Sequence, residues 1–141
     1  MDEKSSGSLT MYVFLDKFFF VFHSCLILFI LFGWLWKKTR KANLALILLT
    51  AFSWFILGIW YGYGYCPCTD WHWKVRFKLG IATTQDSYIE FLIETFTGLD
   101  VSRTLVDVIA LIFLIAAFLA SIATNFLDWK KKKKGGRNAR T

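Results

Sequence analysis

The residues best suited to chemistry stand together in the run Tyr65-Cys66-Pro67-Cys68-Thr69-Asp70-Trp71-His72-Trp73. Two thiols and an imidazole are soft ligands, so Cys66, Cys68 and His72 form a candidate site for copper or zinc. Only three ligands are present, and their spacing matches no common zinc pattern. The same thiols could instead cycle between dithiol and disulfide. A bridge between cysteines two apart closes a cramped ring, which makes it strained and easily reduced. The plainer alternative is a capped turn, in which Thr69 or Asp70 opens a short amphipathic helix that Gly80 ends. On that helix Trp71, Trp73 and Phe77 would face lipid, and Lys74, Arg76 and Lys78 water or headgroups.

A second candidate is His23, set in an otherwise apolar run with Asp16 seven residues earlier on the same helical face. Ionisable groups in such a run are costly to bury. His23 could be a neutral ring bonded to a neighbouring helix, a haem or metal ligand, or a proton-relay step. Arg103 and Asp107 stand four apart and predict a local ion pair.

The elements that must position these residues are read from uninterrupted apolar length. Phe18–Trp36, Leu44–Tyr65 and Val108–Leu127 are free of charge. Crossing a ~30 Å hydrocarbon core at 1.5 Å per residue takes about 20 apolar residues, and in lipid each crossing must be helical. The fold class expected is therefore an all-α membrane protein with spans at about 12–36, 44–65 and 103–127. Residues 1–11 form a short outer tail, 66–102 an outer loop, and 130–141 a basic tail. The loop is expected to hold short interfacial or re-entrant helices near 70–79 and 87–97. The second would open on a capping box of Ser87 and Glu90 and stop at Gly98. The first apolar segment reads as a retained anchor, because acids precede it and no small-residue cleavage site follows.

Eleven of the seventeen basic residues lie in the loop at Lys37, Lys38, Arg40 and Lys41 or in the C-terminal tail. With three spans these share one side, so the positive-inside rule places the N-terminus outside and the C-terminus in the cytoplasm. The lysine run Lys130–Lys134 suits contact with anionic headgroups. Basic residues in two clusters do not make the single face of a nucleic-acid binder. Trp34, Trp36 and Trp129 fall at the inner boundary, and Trp60, Tyr61, Tyr63, Tyr65, Trp71 and Trp73 at the outer one.

For helix packing the candidates are Gly58 and Gly62 in the second span and Ala116 and Ala120 in the third. Ala117 and Ser121 lie beside the latter pair. These small residues suit either an internal seam or a contact with other membrane proteins or a second copy. There is no phosphate-binding glycine loop, no H-E-x-x-H and no serine elbow, so nothing announces an enzyme.

The order Asp16…His23…Gly33, then Cys66-Pro67-x-Thr69 after a second span, then Tyr88-Ile89-Glu90, resembles a family of small bacterial membrane proteins. That family is the domain of unknown function 2784, and the likeness covers roughly Tyr12 to Trp129. The resemblance implies a protein of the bacterial cytoplasmic membrane and singles out Asp16, His23, Cys66, Thr69 and Glu90 as the site. It supplies neither activity nor cofactor. His72 stands where the family's capping glutamate is expected, and Cys68 fills a variable position. The leading expectation is a non-catalytic accessory subunit or scaffold of a larger membrane complex. The alternative is a redox, haem- or metal-binding protein using His23 and the Cys66/Cys68/His72 cluster. A transporter-like oligomer ranks last, since three spans need several copies to enclose a path.

Overall fold

The computed structural model describes residues 3–82, 85 and 87–138. Among these there is no strand. The helices are α1 (Glu3–Phe32), α2 (Arg40–Tyr61), α3 (Pro67–Lys78), α4 (Tyr88–Thr97) and α5 (Arg103–Asn138). Helix α1 over Gly7–Phe32, α2, and α5 over Arg103–Lys134 are long and apolar enough to cross a membrane. Helix α5 does not stop near Leu127 but runs through the whole lysine stretch. Arg140 lies outside the described residues.

The turn between α1 and α2 is built to satisfy the carbonyls that a helix C-terminus leaves without partners. Asn43, fully buried, donates through Nδ2 to the carbonyls of Phe29 (2.7 Å) and Ile30 (3.1 Å). Thr39 Oγ1 donates to Gly33 O (2.6 Å), and Arg40 Nε to Trp34 O (3.0 Å). Glycine at 33 follows from this closeness: a Cβ there would lie 2.5 Å from Phe29 O and 2.9 Å from Asn43 Nδ2. Arg40 also pairs with Asp128 at 2.7 Å, and Asn125 Nδ2 donates to Arg40 O at 3.1 Å. The basic loop and the end of α5 therefore meet at one end of the bundle.

At the other end the chain folds back on itself. Helix α2 contains a π turn at Ser53–Leu57, and the buried Ser53 donates to Tyr65 O at 2.8 Å. Ser53 lies about two turns before the end of α2, so Tyr65 has returned alongside the helix it has just left. Gly62 (φ 100°) and Gly64 (φ 80°) make the reversal, in a backbone region closed to most side chains. Helix α3 then starts beside α2 and packs against α1. It runs antiparallel to α1, with Cys66 beside His23 and with His72 and Arg76 beside Asp16.

Several local expectations are corrected. The N-cap of α3 is Cys66, in extended backbone, with Pro67 in the first turn, so Thr69 and Asp70 lie inside the helix rather than capping it. Trp71 and Phe77 are exposed as expected. Trp73 and Arg76 turn inward: Trp73 packs against Phe91 and Tyr88, and the Arg76 guanidinium lies 4.8 Å over the Phe91 ring. Ser87 precedes α4 without a side-chain cap bond, so the Ser87–Glu90 capping box does not form. Helix α4 does end at Gly98, which has φ 68°. Arg103 and Asp107 pair at 3.6 Å.

The internal contact of α5 runs along Val106, Ala110, Leu114, Ala117 and Ser121, one face at spacings of three and four. Ile47 of α2 packs against Leu114 and Ala117. Ala116 is exposed and Ala120 only half-buried, so Ala117 and Ser121 form the seam within one chain. Gly58 abuts the returning backbone at Tyr63 and Gly62 ends α2, so neither seats another helix of this chain.

Candidate functional site: a histidine–thiol pair beneath an aromatic cap

The antiparallel contact of α1 and α3 pairs two histidines with two different partners. His23 of α1, 8% exposed, sets Nε2 3.8 Å from Cys66 Sγ. His72 of α3, fully buried, sets Nε2 2.8 Å from Asp16 Oδ1, and Arg76 reaches the same oxygen at 3.5 Å. Helix α4 closes the pair from above. The Tyr88 ring stacks on His23 with centroids 4.0 Å apart and planes 14° apart. Its hydroxyl donates to Phe20 O at 2.8 Å and lies 3.2 Å from Ser24 Oγ. Phe91 meets His72 and Trp73 edge-on.

This placement sets the chemistry of the thiols. Cys66 occupies the cap position of a helix start, where free N–H groups and the helix dipole favour an anion. Its thiol is held below the ordinary range first by a hydrogen bond from Cys68, then by His23 and the Thr69 backbone N–H, with burial opposing them. Cys68 is pushed the other way by that same hydrogen bond, by burial and by the charge on Cys66. These influences favour the thiolate at Cys66 and the protonated thiol at Cys68. That is the chemistry of a nucleophilic thiolate, with a second thiol two residues along the chain.

His72 is different. Burial lowers its pKa, with the Asp16 hydrogen bond acting in the opposite direction. The hydrogen bond between His72 Nε2 and Asp16 Oδ1 joins α3 to α1. Burial likewise raises the Tyr88 phenol.

Of the sequence candidates, His23, Cys66, Cys68 and Thr69 are brought together, and Asp16 meets His72 one to two turns away along α3. Glu90 stands on α4 next to Phe91, with Oε2 buried and unpartnered. The proposed ligand set of Cys66, Cys68 and His72 does not form, because His72 is turned to Asp16. Among the described residues no three His, Cys, Asp or Glu side chains are placed to hold a metal ion. Sequence reasoning passed over Tyr88 and Arg76. Tyr88 opened a motif from which only Glu90 was taken, and Arg76 looked like one of three solvated cations.

A cavity of about 420 Å³ reaches this site. Tyr61, Cys66, Asp70, Trp73, Tyr88 and Arg103 are among the residues that line it.

The fold and site thus define an all-helical protein with three helices of membrane-crossing length and a histidine–thiol pair under its cap. Residues 13–126 match the sequence profile described as Protein of Unknown function (DUF2784), and the chain belongs to that family. No curated protein and no solved structure matches it.

Proposed function

We propose that this chain is a thiol redox protein of the bacterial cytoplasmic membrane, with Cys66 and Cys68 as the working couple. The observation that carries the reading is the 3.8 Å contact of His23 Nε2 with Cys66 Sγ at the start of α3. His23 favours the Cys66 thiolate, and Cys68 supplies the second sulfur. Forming the Cys66–Cys68 bond removes two electrons and two protons from the pair, and breaking it returns them. The site carries no resident cofactor in this reading.

Membrane insertion is supported by an inverted distribution of polarity. His23, Asn43, Ser53, Thr69, His72 and Ser121 are buried, while Phe14, Ile59, Trp60, Ile112, Phe113 and Leu119 are exposed. Such a surface is out of place in water and natural in lipid. The Arg40–Asp128 pair puts the basic loop and basic tail at one end, which supports a cytoplasmic C-terminus and an outer N-terminus. The lysine run would then lie against anionic headgroups.

Membranes quenched in acid and treated with a mass-tagging maleimide test the redox reading. Cys66 and Cys68 should shift together between two states when cells are reduced or oxidised, with Cys25 as the constant reference. Thiols that stay unchanged across those conditions would overturn it.

A second reading, an accessory subunit of a membrane complex, is favoured by the exposed Ala116 face of α5, which a partner helix could approach closely. Extraction in mild detergent should then yield constant companions, and recovery as a lone monomer would count against it.

A further inference from the structure

We infer that the oxidant of the Cys66–Cys68 pair is a membrane-dissolved quinone, received in the cavity above Cys66. The inference rests on the thiol redox reading and adds the substrate class. It begins with depth. At 1.5 Å per residue, His23 lies ~13 Å from the Phe32 end of α1, and Ser53 lies ~20 Å from the Arg40 end of α2. Cys66 touches His23, and its neighbour Tyr65 is held by Ser53, so both helices give the thiol a similar height. In a hydrocarbon core ~30 Å thick that height is near the middle. The fold-back at Gly62–Gly64 returns the chain alongside α2, so the thiol lies below the outer end of that helix.

The cavity offers aromatic rings to flank a flat ring, and Thr69, Asp70, Ser87 and Arg103 add polar groups, with donors among them to meet its carbonyl oxygens. Tyr61, Tyr63, Tyr65, Trp73 and Tyr88 contribute to its lining, together with Cys66. Its volume of about 420 Å³ takes one substituted ring, and the exposed Ile59 and Trp60 directly precede its lining residue Tyr61 in the chain. The His23 ring stands between Cys66 and Tyr88 and leaves Nδ1 buried without a partner, a polar group able to relay a proton.

The step balances without a further reagent. The Cys66 thiolate adds to the quinone ring, forming a carbon–sulfur bond and placing an electron pair on the carbonyl oxygen. Cys68 gives up its proton and attacks Cys66 Sγ. The sulfur–sulfur bond forms as the carbon–sulfur bond breaks, and the electron pair leaves with the ring. Two protons complete the hydroquinone. Two thiols and one quinone thus become one disulfide and one hydroquinone.

The test uses the full chain, reduced, in lipid vesicles, with a benzoquinone carrying a decyl tail. Expected are loss of both thiols and one hydroquinone per disulfide formed, read by ultraviolet absorption and by maleimide tagging. Cys66→Ser and Cys68→Ser should abolish turnover, and His23→Gln should slow it about tenfold. Oxidation by the water-soluble diazene diamide, reversed by dithiothreitol, with no response to the quinone would overturn the quinone while leaving the thiol couple in place. Response to neither oxidant would remove both.

Discussion

His23 Nε2 and Cys66 Sγ lie 3.8 Å apart, a contact between residues forty-three apart in the chain. Cys68, His23 and the Thr69 N–H all favour the Cys66 thiolate. Cys66 should therefore alkylate with iodoacetamide at about pH 6 much as it does at pH 8, while an ordinary thiol, with pKa ~8.5, slows in acid. His23→Ala should cut the rate at about pH 6 roughly tenfold per pKa unit recovered, with little effect above about pH 9. Mass spectrometry of the labelled peptide separates Cys66 from Cys68 and Cys25. A Cys66 rate that rises with pH like that of a free thiol would contradict the geometry.

The burial of His72 should make stability acid-sensitive. Burial depresses the folded-state pKa of His72, so the native protein resists taking up a proton that the unfolded chain accepts. Stability is then complete above the unfolded value of ~6.5 and is lost as pH falls below it toward the folded value. Thermal unfolding in detergent micelles should show a midpoint falling from about pH 7 to about pH 5, with a shallower fall in His72→Gln. An equal fall in both proteins would place the acid sensitivity elsewhere.

Three helices of crossing length were legible because uninterrupted apolar length is a strong signal that no tertiary contact has to supply. The partners of the histidines were not. His72 sits four residues after Cys68 and so looked like its co-ligand, but a helix turn points it at Asp16, fifty-six residues away. Nothing local in the sequence marks that pairing. Trp73 and Arg76 misled for a related reason: an interfacial helix with one lipid face and one wet face was assumed, whereas α1 and α4 cover Trp73 and Arg76 and leave Lys74 and Lys78 exposed. The fold-back at Gly62–Gly64 was hidden because Gly62 read equally well as half of a helix-packing motif with Gly58.

The inner turn offers a test of packing. Gly33→Ala must push a methyl group into Phe29 O and Asn43, and overpacking of this kind costs about 1–3 kcal/mol. Asn43→Leu removes two donors from buried carbonyls, at about 1–3 kcal/mol for the groups left unsatisfied. The substitutions share partners, so the double variant should cost less than the sum. Denaturant titration in mixed micelles would show this, and strict additivity would mean that the two sites act independently.

The reversal after α2 should control the thiol without controlling the spans. Gly64 has φ 80°, and a left-handed conformation costs an alanine about 1–2 kcal/mol. Tyr65 O accepts from Ser53, so the strain and the anchoring bond act on adjacent residues, two and one positions before Cys66. Gly64→Ala should shift the local equilibrium toward a lifted loop, separating Cys66 from His23 while α1, α2 and α5 stay packed. Ser53→Ala should do the same more weakly, since a hydrogen bond contributes only about 1 kcal/mol net. Both variants should keep the wild-type helical circular dichroism, and the pH dependence of their Cys66 alkylation should shift toward that of a free thiol. Loss of helix content together with thiol reactivity would instead mean that the reversal holds up the whole bundle, and that the site and the spans fold as one unit.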